Sequence, residues 1–325
     1  MTKGMYRFLR CVGLALAVGA AGAASAAWPD RPIRMIVPLP PGGGGDSVAR
    51  LVSAELTKRL GQTVVVENRS GGSSIIGTQA VARAPNDGYT FLFATDFHVI
   101  NGAFGNLPYD SVEDFAMVAQ LIDFQIVLLS RPNRSWKSLA DMVAQARKTP
   151  GKVIAASPGT SSPHYLAYKL LEQMAGIEFL NVPYQGTGPV TAAFLGDQVD
   201  LMFAGVGAGK VLVEQGRAVP LAVTGPERDR LLPNLPTVAE SGYPGYSIVS
   251  WMAVMAPAGT PADIVDRMNK AIRATLAEKS VQSQLTDLGF SIRTGSPDDL
   301  KKLVVSDIKK LRGVIQAAHI QAENR

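Results

Sequence analysis

One local unit recurs along this chain: a short apolar strand, a loop of Gly, Ser or Thr, then an amphipathic helix. The first copy is the sharpest. Ile33-Arg34-Met35-Ile36-Val37 has the apolar run of a buried strand, residues 40–46 read Pro-Pro-Gly-Gly-Gly-Gly-Asp, and a helix is expected from near Ser47 onward. Strands separated by helices pair in parallel through crossovers, so the pattern predicts an α/β fold with mostly parallel sheets. It also predicts an anion site at the loop. The first N–H groups of a helix lack intrahelical acceptors, and the helix dipole is positive there.

The unit then repeats. Gly61 stops the first helix, Val64-Val65-Val66 is a strand, and Ser70-Gly71-Gly72-Ser73-Ser74 leads into a helix through Ala84. A turn at 85–88 precedes a strand at 89–94. A strand is expected at 125–130 and a helix at 138–148. A second series follows, with strands at 152–157, 179–182, 199–204 and 221–224 and helices at 164–175 and 190–195. A long strand is expected at 246–255. Thr260-Pro261 then reads as an N-cap with proline at the first helical position of a helix running to about Lys279, and Ser296-Pro297-Asp298-Asp299 opens the last helix. Two series linked by runs near 125–130 and 246–255 suggest two lobes joined by two crossings: residues 28–124 plus 251–325, and residues 125–250. A single doubly wound sheet is the alternative on pattern alone.

The N-terminus reads as a leader. Residues 1–10 hold Lys3, Arg7 and Arg10 and no acid, residues 11–24 are almost entirely small and apolar, and Ala24-Ser25-Ala26-Ala27 offers cleavage sites. That is the pattern of a secretory signal peptide over 1–27, and its apolar run is too short for a span of ~20 residues. Cys11 is the only cysteine, so the mature chain carries no disulfide. About 298 of the 325 residues remain, and the formal charge of +5 falls to about +2. Basic residues are scattered singly, which argues against a nucleic-acid partner.

Ligands of open α/β sheets sit at the carboxyl ends of strands. Four loops rich in Gly, Ser and Thr hold that position, at 40–46, 70–74, 157–163 and 184–189, and a fifth segment is Thr95-Asp96-Phe97-His98. They offer N–H and hydroxyl donors without a fixed cation, which suits a carboxylate. Asp46 is expected to serve as an N-cap or first-turn acid, since a carboxylate repels an anion. Asp96 suits an amine or a hydroxyl, or a cap. Phe97 and Tyr184 suit stacking on a ring, or packing. A dinucleotide enzyme is a poor fit, because Gly42-x-Gly44 is followed by Ser47 in place of a third glycine. A hydrolase is also poor: Gly159-Thr160-Ser161-Ser162-Pro163 is not a nucleophile elbow. With only His98, His164 and His319 and no H-E-x-x-H, a zinc site has little to build on.

Several segments together resemble the periplasmic substrate-binding proteins of tripartite tricarboxylate transporters, the Bug family. They include Val37-Pro38-Leu39-Pro40-Pro41-Gly42-Gly43 with Asp46, Gly61-Gln62-Thr63-Val64-Val65-Val66-Glu67-Asn68-Arg69, and Asp87-Gly88-Tyr89-Thr90. Val182-Pro183-Tyr184-Gln185-Gly186, Leu235-Pro236-Thr237-Val238-Ala239-Glu240-Ser241-Gly242 and Ala256-Pro257-Ala258-Gly259-Thr260-Pro261 continue the resemblance. It implies an α/β, two-lobed periplasmic-binding-protein fold (type II, venus-flytrap) with two crossover strands. It further implies no catalysis and no cofactor, and capture of a small carboxylate: a di- or tricarboxylate, an acidic amino acid or an aromatic acid. The ligand contacts it implies are Pro41, Gly42, Gly43 and Gly44; Gly159, Thr160, Ser161, Ser162 and His164; and Tyr184 and Gly186. Thr95, Asp96 and Phe97 join them from the strand-end reading. The implied partner is a membrane permease pair, with the receptor monomeric; a receptor for a membrane sensor kinase is the alternative, and an exported hydrolase a more remote one. The family often has Phe at the place of Leu39 and small hydroxyls around 95–98, so the ligand does not transfer from a relative.

Overall fold

The computed structural model describes residues 28–317 and Ile320. The expected leader at 1–27, and His319, lie outside the described residues. Among the described residues, eleven strands form two sheets. The first has the order β11-β4-β10-β3-β1-β2, and the second β7-β6-β8-β5-β9. Their ranges are β1 Ile33–Val37, β2 Val64–Asn68, β3 Thr90–Thr95, β4 Phe115–Phe124, β5 Ile126–Ser130, β6 Ile154–Ser157, β7 Leu180–Pro183, β8 Leu201–Gly205, β9 Val219–Val223, β10 Ser250–Pro257 and β11 Ser291–Ile292.

The chain crosses between sheets with almost no linker. β4 ends at Phe124 in the first sheet, and β5 starts at Ile126 in the second. It returns through 224–249 to β10, which lies antiparallel between β3 and β4. β1, β2 and β3 pair in parallel, as do β6, β7 and β8. Each series therefore builds its own parallel core, and the crossing strands supply the antiparallel partners.

Both faces of the first sheet are covered, which is why β3 and β10 are buried at every residue. Met35, Phe91 and Phe93 pack on one face against Val48, Val52 and Leu56 of helix α1, Gly44–Leu60. Ile36, Leu92 and Ala94, one residue out of phase, pack on the other against Leu300 and Val304. The second sheet has its own cores, one around Leu128, Tyr168 and Phe203 and one around Val127, Phe194 and Met202.

Several expectations are corrected. The long strand at 246–255 begins only at Ser250. Residues 246–249 are held out of the ladder because Tyr246 is buried in the second sheet's core, its hydroxyl donating to the Ala167 carbonyl at 2.9 Å. Thr260 does not cap the next helix, since its hydroxyl donates to the Pro257 carbonyl at 2.7 Å. Pro261 holds the N-cap position of that helix, Ala262–Leu276. The helix does not reach Lys279; a separate helix, Lys279–Asp287, follows. The ten-residue β4, central to the first sheet, was not expected at all. Its apolar run is broken by Gln120 and Asp123, which blurs its period. The last helix, Pro297–Ala317, opens as expected: Asp299 N–H donates to Ser296 Oγ at 3.2 Å and Ser296 N–H to Asp299 Oδ2 at 2.9 Å.

Candidate functional site

The first glycine loop is tied down by one carboxylate. Helix α1 starts at Gly44, three residues earlier than expected, with Gly43 as an extended N-cap that offers no side chain. Asp46 therefore falls in the first turn. Its buried carboxylate accepts from Gly42 N–H at 3.0 Å, Asn68 Nδ2 at 2.9 Å and Arg50 Nε at 2.9 Å. Burial raises its pKa, and Arg50, Gly42 and Asn68 together outweigh that and hold it below its ordinary value. Asp46 is thus a structural acid. The Gly42 N–H, expected to face a ligand, is committed to it. The N–H groups of Gly44, Gly45 and Asp46 precede the helix's first internal bond, from Ser47 N–H to the Gly43 carbonyl.

The second sheet presents two loops of the same kind. Ser162 is the N-cap of the helix Pro163–Ala175. Its hydroxyl is fully buried, donates to the Gly159 carbonyl at 2.6 Å and accepts from Tyr165 N–H at 3.1 Å. Both bonds serve the helix start. Ser161 is buried beside it. Thr160 Oγ1 and His164 Nδ1 are buried without a hydrogen-bond partner, and burial pushes the His164 ring down to about 4, so it is neutral. Tyr184 is half-buried against Val190 and Phe194's cluster. Gly186, at φ 102°, is the N-cap of the helix Thr187–Leu195, a backbone state few other residues adopt.

The loops of the two sheets face each other. A Cβ built on Gly43 would lie 4.0 Å from Thr187 Oγ1, one on Gly186 3.8 Å from Pro40 Cγ, and one on Gly159 3.7 Å from Ser73 Oγ. Exposed Pro41 and Gly44 sit on the same loop, and a Cβ on Gly44 would meet Phe290 at 3.6 Å. The loops at 40–46, 70–74, 157–163 and 184–189 contain no Lys or Arg. Their helix N-termini supply positive potential by dipoles alone. Ser73, Thr187 and Phe290 were absent from the expected contacts. Ser73 and Thr187 lie inside the glycine-rich segments, and that was the available signal.

Thr95, Asp96 and Phe97 close the end of β3. Thr95 Oγ1 is buried without a partner, and the Asp96 carboxyl is buried beside the Ser250 hydroxyl of neighbouring β10, which pulls its pKa down against the larger effect of burial. Burial pushes Asp96 up to about 7, with Asp307 adding to the rise. Asp96 lines a cavity of about 60 Å³ with Pro163, Leu166, Trp251 and Asp307, residues drawn from both sheets' layers. Phe97 is half-buried at the start of the helix Phe97–Phe104. His98 is a core residue: its Nε2 lies 2.7 Å from the Ser111 carbonyl, and its ring packs edge-on against Phe115. Burial pushes it down to about 4. Among the described residues, no group of three or more His, Cys, Asp or Glu is placed to hold a metal.

Residues 48–320 match the tripartite tricarboxylate transporter family receptor. Protein BugT of Bordetella pertussis is 33% identical over 317 residues, spanning 96% of this chain and 97% of that one. The structure of an R. palustris protein with adipate superposes with a TM-score of 0.86 at 34% identity, covering 91% of this chain and 99% of that chain. MatC from Rhodopseudomonas palustris with bound malate superposes at 0.83 and 31% identity, covering 89% and 100%. The fold is the two-lobed α/β fold of type II periplasmic binding proteins. The matched family is one of receptors and not of enzymes, and its match runs through nearly all of the described residues. This chain belongs to the tripartite tricarboxylate transporter receptor family, the Bug proteins.

Proposed function

We propose that this protein is an exported periplasmic receptor that closes its two lobes around a small carboxylate and delivers it, as a monomer, to membrane permease subunits. One observation carries the proposal. Helix N-termini from both sheets face one another, and the second lobe's side of that seam holds buried polar atoms without partners at Thr160 and His164. Buried polar groups are nearly always hydrogen-bonded, so unpartnered ones in a cleft suit a bound solute or its waters. Adipate and malate, seen in the two R. palustris structures, are both dicarboxylates.

In this reading the lobes are residues 28–124 plus 251–325, and 125–250. They hinge at the crossings near 123–126 and 249–252. Pro41, Gly43 and Gly44 take one carboxylate group on the first lobe, while Thr160, Ser161, Tyr184 and Gly186 meet the ligand from the second. Each hydrogen bond to a charged oxygen contributes about 1.5–3 kcal/mol. A ligand that bridges both lobes therefore favours the closed state over the open one.

The test is a thermal-shift screen followed by calorimetry, using adipate, malate, citrate, aspartate and benzoate. A binder raises the melting temperature with the logarithm of its affinity, adding about 2.7 kcal/mol of stability at a hundredfold excess over Kd. Malate and aspartate differ by hydroxyl against amine, so a preference for aspartate points to Asp96. A protein that responds to none of the five overturns the carboxylate reading.

A further inference from the structure

The two lobes meet at a second place, outside the cleft loops, and there they touch backbone to backbone. Gly207 is the second residue of the helix Val206–Glu214, which leaves β8 in the second sheet. Leu288 and Gly289 form the turn between the helix Lys279–Asp287 and β11 of the first sheet. A Cβ on Gly207 would lie 2.2 Å from the Leu288 carbonyl oxygen and 3.2 Å from Gly289 N. A Cβ on Gly289 would lie 2.7 Å from Gly207 N. Neither obstacle is a flexible side-chain tip, so a side chain at either position forces the two segments apart.

The contact stands beside the first crossing. Gly205 pairs with Ile126, and Val206 N–H donates to the Gln125 carbonyl at 3.3 Å. Phe124, the last residue before the crossing, packs edge-on against Phe290, with ring centroids 5.3 Å apart. Arg230 of the second lobe donates to the Thr286 carbonyl, which fixes the same turn from its other side. Phe290 also lies against the first cleft loop, since a Cβ on Gly44 would meet it at 3.6 Å, so a separation at this contact alters how closely the cleft loops approach.

We propose that the Gly207–Gly289 contact is the stop that sets how far the lobes close, and that any side chain there holds the cleft ajar. The proposal rests on the two-lobe closure reading given above and is independent of which solute binds. Gly207 and Gly289 are positioning residues, because they touch no ligand and act on affinity only through the closing angle.

The experiment needs no ligand. In a Cys11→Ser background, Gly43→Cys and Thr187→Cys introduce a thiol pair across the cleft. The Cβ of residue 43 would lie 4.0 Å from Thr187 Oγ1, near enough for the two sulfurs to meet by side-chain rotation and a small loop shift. Oxidative crosslinking then reads closure. Gly207→Ala, added to this pair, is expected to slow crosslinking at least about tenfold while shifting the melting temperature by less than about 2 °C. Gly209→Ala is the contrast, since its Cβ would meet Val127 Cγ1 at 2.4 Å inside one lobe. It should lower the melting temperature and leave the crosslinking rate alone. A Gly207→Ala protein that crosslinks at the parent rate overturns the stop, whether or not its melting temperature falls. If Gly207→Ala does not fold, Gly289→Asn places a Cβ on the other side of the contact. Asparagine tolerates that turn's left-handed backbone, so the same two outcomes decide the question. Failure of the carboxylate screen leaves this result untouched, and unimpaired crosslinking leaves the screen untouched.

Discussion

The loops at 40–46 and 157–163 each lift a helix N-terminus toward the cleft, and they are anchored by opposite chemistry. The first is held by the charge of Asp46, which gathers Gly42 N–H, Asn68 and Arg50 beneath a run of glycines of which Gly42 and Gly44 are exposed. The second is held by the neutral hydroxyl of Ser162, buried completely, with the neutral ring of His164 beside it. A flexible glycine loop has no side chains to pack, so an ionic anchor does the holding. The serine loop is packed already and needs only a cap. The first loop therefore concentrates its stability in one residue, whereas the second spreads it through burial.

Four substitutions sharpen or break that contrast. Gly43→Asp should be the most severe for binding. It sets a carboxylate against the bound one, where like charges cost several kcal/mol, and affinity should fall by at least about a thousandfold. Stability should hold, because the added Cβ meets nothing closer than 4.0 Å. Calorimetry and melting together check both halves; unchanged affinity removes the loop from the site.

Asp46→Ala should cost about 3 kcal/mol in urea unfolding, because it strands Gly42 N–H and Asn68. The acid's contribution is present above its ordinary value of 3.8 and is lost as pH falls through its lowered native value. The wild type and the Ala variant should therefore converge in acid. Parallel curves would show that packing, and not charge, anchors the first loop.

Asp96→Asn should act in the other direction. The Asp96 carboxyl sits at about 7 in the folded chain against an ordinary 3.8, so the unfolded chain releases its proton first as pH rises. The stability associated with its neutral form is present below about 4 and lost as pH climbs to about 7. At pH 8 the Asn variant should be more stable than the wild type by about 4 kcal/mol, with the difference vanishing below pH 4. A difference that does not vary with pH would dissociate Asp96 from that titration.

Ser162→Ala should have the smallest effect, about 1 kcal/mol for a lost N-cap. Affinity should change less than about threefold, since the hydroxyl is bonded within its own loop. A larger loss of binding would return Ser162 to the ligand and erase the difference between the two loops.

The parts of the site that were legible in the sequence are those encoded by near neighbours. Gly42 to Gly45 announce a bare helix start, and Asp46 was assignable to the N-cap or first turn because an acid there complements the dipole, whereas the Ser162 cap went unseen because Ser162 was expected to contact the ligand. Features that depend on distant packing were illegible. His98 looked like a strand-end candidate for the ligand, yet Ser111 and Phe115 enclose it. Tyr246 to Val249 read as a strand until Tyr246 is seen anchored in the second lobe. β4 was missed because its polar interruptions conceal a strand that long-range pairing with β10 stabilises.

By itself, the sequence determined the alternation of strands and helices, the loops at the strand ends and several helix starts, because each depends on spacing and caps within a few residues. Only the tertiary structure decided that Gly43 faces Thr187, that Gly159 faces Ser73, that Asn68 completes the Asp46 anchor, and that Gly207 abuts Gly289. These contacts join segments far apart in the chain, and no local propensity records which buried surfaces meet once the two sheets pack.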